Sequence, residues 1–177
     1  MTEIRRIRDD DREPEQAVEL WDRSCRDDPD GAPLSRMGRH NLKRMLAMMA
    51  WHRDSFCLVA VRPAKDSASG PRSALRTESK APDERIVGYV CGHVETGDGL
   101  LPGAVGEINE LYVTPEAPDA PDLPRQLVEA AVERLRADAQ VGIIRSTVDV
   151  QDEDRQALLA GLGFEADLVT LSLYPAE

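Results

Sequence analysis

Two short apolar runs separated by a long polar stretch constrain the fold of this chain more than any other feature. Phe56–Val61 (FCLVAV) and Ile86–Val94 (IVGYVCGHV) are continuous and rich in β-branched and aromatic residues, the pattern of strands buried on both faces. The Arg62–Arg85 segment between them carries Pro, Ser, Lys, Asp and Arg without periodicity, and Leu75 is its one large apolar side chain away from the ends. Such a segment cannot bury a core. It therefore reads as a mobile, overgrown connection within a β-hairpin and not as a second domain.

The flanking sequence builds around that hairpin. Glu3–Arg8 predicts a short first strand, with Ile4 and Ile7 as its apolar content. Pro14 opens a helix to about Cys25 whose apolar face is Ala17, Val18, Leu20 and Trp21. After a turn at Arg26–Pro33, a second helix spans about Arg36–His52 with Met37, Leu42, Met45, Leu46 and Met49 as its stripe. Thr96–Gly106 is a Gly-rich connection into a strand at Ile108–Val113 (INELYV). A helix at Leu123–Ala137, a strand at Ile143–Val150, a helix at Asp152–Leu162 and a strand at Leu168–Tyr174 complete the chain. The order β-α-α-β-β-β-α-β-α-β specifies one α/β domain: a mixed, twisted sheet of about six strands with helices on both faces. A length of 177 residues suits a single domain.

Charge and composition bound the function. A net charge of −11 opposes nucleic-acid phosphates and favours cationic partners such as amines, although acidity also serves solubility. No apolar stretch approaches the roughly 18 residues of a membrane span, and the first residues offer no secretory-type apolar run. Cys25, Cys57 and Cys91 form an odd, scattered set, consistent with free thiols in the cytoplasm. His40, His52 and His93 lack an i, i+4 partner or a neighbouring cysteine in the sequence, so no metal site is expected. Cys91 and His93 share a strand face, but a cysteine on a buried strand usually serves as a small apolar residue. Asp149, Asp152, Glu153 and Asp154 read as helix caps and dipole partners. Gly97, Gly99, Gly103 and Gly106 lack the strand-to-helix context of a phosphate loop.

Three segments carry a resemblance. Glu107–Glu116 (EINELYVTPE), Leu123–Arg136 (LPRQLVEAAVERLR) and Leu158–Glu165 (LLAGLGFE) resemble, in order and spacing, the fourth strand, the helix behind the cofactor loop and the Gly-Phe turn of the GNAT superfamily of N-acyltransferases. The resemblance spans nearly the whole chain outside Arg62–Arg85. It implies a fourth strand that splays from the fifth and pairs its backbone with the pantetheine arm of acetyl-coenzyme A at Leu111, Tyr112 and Val113. It places the pyrophosphate at the start of the next helix, at Leu123, Arg125 and Gln126. It makes Glu107 the base that deprotonates the attacking amine, directly or through water. Glu110 is the second candidate. Three residues away, it lies on the opposite face of an unbroken strand, and a β-bulge would realign the two.

The chain departs from the family pattern in two places. The pyrophosphate turn of the family is basic and Gly-rich, because glycines admit the phosphates and the helix start supplies N–H donors. Ala117–Pro124 (APDAPDLP) has no glycine and no basic residue here. Pro118, Pro121 and Pro124 each delete a donor, and Asp119 and Asp122 add negative charge. Asp122 also reads as an N-cap that would occupy the remaining donors. Two like charges about 4 Å apart cost roughly 4 kcal/mol at an effective dielectric of 20. In addition, Leu159 stands where many family members carry the tyrosine acid that protonates the departing thiolate; Tyr89, Tyr112 and Tyr174 are the available phenols. Two readings follow. One is an acetyl-coenzyme A-dependent N-acyltransferase for a small amine or protein amine, by default a homodimer. The other is a catalytically inactive binding or regulatory module on the same fold.

Overall fold

Five strands and four helices make up the described part of this chain, whose computed structural model describes residues 2–10, 12–28, 31–63, 84–96, 103–117 and 121–167. The elements are β1 (Glu3–Arg6), α1 (Glu13–Asp27), α2 (Arg36–Met49), β2 (Ser55–Pro63), β3 (Glu84–Glu95), β4 (Ala104–Val113), α3 (Leu123–Arg136), β5 (Val141–Ser146) and α4 (Glu153–Ala160). Two compact units divide the chain, Met1–Ser146 and Thr147–Glu177. The first holds the sheet and α1–α3; the second holds α4. The expected sixth strand at 168–174 and the connection at 64–83 lie outside the described residues. No described helix is long and apolar enough to cross a membrane.

The sheet runs β1-β2-β3-β4-β5. The first four strands pair antiparallel, while β4 and β5 are parallel, so α3 serves as the crossover that parallel neighbours require. Alternation along β3 assigns the two faces. Tyr89 and Cys91 join Ala17, Val18, Leu20, Leu42, Leu46 and Val59 in the core under α1 and α2. Gly88 faces the other way, where a Cβ would stand 3.3 Å from Leu127 of α3. Gly92 permits a still closer approach: a Cβ there would meet the Glu107 carbonyl oxygen at 2.4 Å and the Phe56 ring at 2.6 Å.

Two buried carboxylates, Glu13 and Asp22, are satisfied across elements. The Glu13 carboxylate takes both Arg5 guanidinium nitrogens at 3.0 and 2.6 Å and the Arg8 backbone N–H at 2.7 Å, while Arg5 also reaches Glu84 at 2.8 Å. That charge-assisted fork ties β1 to α1 and to the start of β3. It also raises the Arg5 pKa, with the Glu13 hydrogen bond as the largest cause. Asp22, 2% exposed, accepts from the Leu34 backbone at 2.7 Å, from Arg39 at 2.8 Å and from Arg26, fixing α1 against α2.

Element ends depart from expectation for identifiable reasons. α2 stops at Met49, short of His52, where the Arg6 side chain takes the carbonyls of Met49, His52 and Ser55 and draws the chain out of the helix. β4 begins at Ala104 and absorbs the end of the Gly-rich connection, since pairing with β3 and β5 on its two edges outweighs the local glycine signal. β5 ends at Ser146, four residues early. Beyond it Asp149 accepts the Gln151 N–H at 2.8 Å in an Asx turn, and Asp152 caps α4 through the Arg155 N–H at 3.0 Å.

Candidate active site

β4 is irregular where its chemistry is concentrated. Opposite β3, Cys91 pairs with Glu110 and Gly92 pairs with Ile108, so Asn109 is an extra residue and the ladder carries a β-bulge. Its consequence is geometric. Glu107 stands across from His93 and Glu110 across from Cys91, and Cys91 and His93 share one face of β3. The bulge thus brings Glu107 and Glu110 onto the same face of the sheet, the face covered by α1.

The other edge of β4 changes partner state at the same level. Pairing with β5 ends at Ile108 opposite Ser146, and the Ser146 hydroxyl donates to the Ile108 carbonyl at 2.9 Å to close it. β4 continues five residues further, to Val113, while β5 does not. Leu111, Tyr112 and Val113 lie in this overhanging segment, paired through β3 with Val90, Tyr89 and Gly88 and each half-buried. The fourth strand therefore outruns the fifth.

Each carboxylate has a distinct environment. Glu107 receives the Asn109 amide at 3.4 Å and faces His93 Nε2 at 3.8 Å, while His93 Nδ1 is 2.9 Å from Asn109 Oδ1. Glu110 faces α1. Its charge adds to burial, the larger cause, in raising the Cys25 thiol pKa. Beyond Glu110 along the same face lies Tyr89, stacked on Trp21 with centroids 5.3 Å apart and hydroxyl 3.3 Å from Ser24 Oγ. Burial pushes the Tyr89 phenol far up. Tyr112, 6.2 Å from Tyr89 between ring centroids, donates to Asp27 at 2.8 Å. Burial first, and then that hydrogen bond, push its pKa up to about 12. Neither phenol is poised to give up its proton near neutrality, and Tyr174 lies outside the described residues. Cys91 is buried, its thiol raised by the hydrogen bond with Cys57 and by burial, so it packs as a small apolar residue and is no nucleophile.

The turn from β4 to α3 is anchored at its start. The Thr114 N–H donates to the Val87 carbonyl at 2.9 Å and the Ala117 N–H to Thr114 at 3.0 Å, and Arg23 of α1 holds Glu116 at 2.6 Å. Pro118, Asp119 and Ala120 lie outside the described residues. At the helix start the structure corrects one expectation. Asp122 occupies the N-cap position, but its backbone is helical (φ −99°, ψ −19°) and its side chain makes no cap hydrogen bond. A capping carboxylate needs extended backbone to turn back onto the second or third N–H, and the second helical residue here is Pro124, which has none. The Leu123 and Arg125 N–H groups are thus not taken by Asp122. Leu123 is itself a core side chain, Arg125 reaches along the helix to Glu129 at 2.9 Å, and Gln126 is exposed, so this site would act through backbone.

Sequence reasoning named Glu107 and Glu110 but missed Asn109 and His93 beside Glu107, and Asp27 beneath Tyr112. Asn109 had one visible signal, its place between two carboxylates in a strand with a register to repair. Asp27 had none, because α1 and β4 are 85 residues apart at that contact. Leu159 falls in α4, in the second unit, where its carbonyl accepts the Phe164 N–H at 3.1 Å.

No protein-family model matches the sequence, and neither does any curated protein sequence. Solved structures do. A Trypanosoma brucei acetyltransferase superposes with a TM-score of 0.64 at 19% identity, covering 99% of this chain and 100% of its own. A transcriptional regulator from Bacillus halodurans gives 0.67 at 18% identity, with 98% and 99% covered. AAC(6')-Iy, in complex with a bisubstrate analogue of coenzyme A and acetylneamine, gives 0.65 at 13% identity, with 99% of each chain covered.

Proposed function

From the premise that this chain has the GNAT fold, we propose that it is an acetyl-coenzyme A-dependent N-acetyltransferase that acts on a cationic amine, with Glu107 as general base. The observation that carries this reading is the bulge at Asn109. It turns Glu107 and Glu110 to one face of β4 at the level where β5 stops pairing.

The residues divide the work as follows. Acetyl-coenzyme A supplies an activated acyl group as a thioester. The chain fits it in two ways: Leu111–Val113 overhang the end of β5, leaving a strand edge suited to the amides of a pantetheine arm, and the start of α3 keeps N–H groups that Asp122 does not cap. Glu107 and Glu110 attract an ammonium to the α1 face, where Asp27 adds further negative charge. Glu107 removes a proton from the ammonium so that its nitrogen lone pair can attack the thioester carbonyl. Asn109, bonded to Glu107, orients that carboxylate. Because Leu159 carries no proton and the Tyr112 phenol is committed to Asp27, the departing thiolate takes its proton from water. A thiol pKa near 8.5 makes the thiolate an acceptable leaving group without a dedicated acid.

Calorimetric titration with acetyl-coenzyme A, followed by thiol release over a panel of polyamines, aminoglycosides and basic peptides, tests the reading. Saturable binding with amine-dependent thiol release is expected. Binding without release for any amine would leave the fold as a binding module, and no binding would remove the acyl donor altogether.

A further inference from the structure

Beside the proposed base, three hydrogen-bond acceptors converge on the β3–β4 ladder. His93 lies across from Glu107, and Glu95 is two residues on from His93 along β3. One imidazole nitrogen and two carboxylate oxygens from these residues lie within 4.8 Å of one another. The polarity of the imidazole is set from behind. Asn109 gives its amide N–H to Glu107 and presents its amide oxygen to His93 Nδ1 at 2.9 Å. An amide oxygen only accepts, so His93 carries a hydrogen on Nδ1, and in the neutral ring the Nε2 lone pair faces Glu107 Oε2, 3.8 Å away. A proton on Nε2 or a metal cation between the two atoms offsets the repulsion of the facing lone pairs.

We propose that His93, Glu95 and Glu107 bind a divalent transition cation of the zinc type. One imidazole nitrogen with two carboxylates suits zinc-like ions, whereas calcium and magnesium select all-oxygen sites. Bonds near 2.0–2.2 Å put two ligand atoms on one ion at most about 4 Å apart. The His93–Glu107 pair already meets that limit at 3.8 Å, and exposed Glu95 at the end of β3 is free to swing the remainder. Three protein ligands leave a position for water. Asn109 is the outer partner that fixes the tautomer and orientation of the ligating imidazole. Sequence spacing hid the set because β3–β4 pairing, and not helical periodicity, closes the gap from His93 to Glu107. A cation on one Glu107 oxygen lowers the basicity of the whole carboxylate, so an occupied site weakens the proposed base. The cation site itself does not depend on acyl transfer.

The test is titration of the full-length chain with Zn²⁺ by calorimetry and with Co²⁺ by visible absorption. One saturable site with Co²⁺ ligand-field bands is expected. His93→Gln should weaken binding at least 100-fold, and Asn109→Ala, which removes no ligand, about 10- to 100-fold. Cys25→Ser, which removes the half-buried thiol, should leave binding intact. If His93→Gln fails to fold, as a thermal melt would reveal, Glu95→Gln at its exposed position gives the same test. Absence of saturable binding in the wild-type chain overturns the proposal. So does wild-type affinity in the His93 and Glu95 variants, or loss of binding in Cys25→Ser.

Discussion

β4 and the turn that follows it sit side by side yet obey different rules. Along β4 the function-bearing geometry is made by backbone: a bulge, a strand that outruns its neighbour, and pairing to β3 that continues to Val113. Those features are made by main-chain pairing and tolerate almost any side chain. The start of α3 depends instead on which residues can donate an N–H, and there Pro121 and Pro124 have none to give. Geometry that resides in hydrogen-bonded backbone asks little of the side chains; a donor site at a helix start asks for specific residue types.

The largest effect separating the two regions should come from Glu107→Gln. If β4 holds the chemistry, turnover with acetyl-coenzyme A and an amine falls at least about 100-fold, the usual range for losing a general base. Acetyl-coenzyme A affinity by calorimetry stays within about twofold, because the base acts in the transition state. An unchanged turnover would transfer the role to Glu110, on the same face, or to solvent.

Gly92→Ala attacks the backbone of the bulge itself. A Cβ at 2.4 Å from the Glu107 carbonyl oxygen and 2.6 Å from the Phe56 ring has no flexible neighbour to displace. Urea unfolding should show a loss of about 2–3 kcal/mol. The strain falls on Glu107, the proposed base, so turnover should fall beyond what the loss of folded protein explains. A variant as stable and active as wild type would mean that β4 is not held by this contact.

How much of this was legible in the residues follows the same division. The hairpin, the order of elements and the helices came through because apolar periodicity records burial, and burial is what the fold satisfies. Ile108–Val113 read as a strand for that reason. The bulge at Asn109 left no such trace: it exists only in the register against Cys91 and Gly92 of β3, distant in sequence, and only the mismatch between Glu107 and Glu110 hinted at it. Asp122 misled for the opposite reason. Its local pattern is that of an N-cap, but its backbone is helical (φ −99°, ψ −19°) and its side chain caps nothing, whereas Asp152, at ψ 72°, turns its carboxylate onto the Arg155 N–H and caps as its pattern predicts.

The turn offers the third test, smaller because it concerns donors and not reacting groups. Pro124→Ala restores one N–H at the start of α3, and a hydrogen bond to a charged phosphate is worth about 1.5 kcal/mol or more. Acetyl-coenzyme A should bind about tenfold tighter, while pantetheine, which lacks the pyrophosphate, should not respond. Asp122→Asn should help less, and chiefly at low salt, since it removes only a screened charge that caps nothing. Equal gains for pantetheine would place the effect on β4 and erase the distinction between the two regions.

The smallest expected effect lies in the pH dependence of stability, and it reports on how firmly α1 is held over β4. Tyr112 is raised from an ordinary 10.0 to about 12, by burial first and by its hydrogen bond to Asp27 second. Between those values the folded phenol keeps a proton that the unfolded one has released. The unfolded state then binds fewer protons, so stability falls as pH rises. The contribution is whole below about pH 10 and fades through about pH 12. Tyr112 is only half-buried, so solvent screening keeps the slope shallow. Urea midpoints of wild type and Tyr112→Phe, compared across that window, isolate it: the variant should lose less stability with rising pH than the wild-type chain. Phenolate absorbance should show a step near pH 12 in wild type that the variant lacks, with Tyr89 released later still in both. Identical slopes in the two proteins would assign the alkaline loss to Tyr89, which burial raises further, and would mean that the Asp27 contact does not fasten α1 to the strand carrying the base.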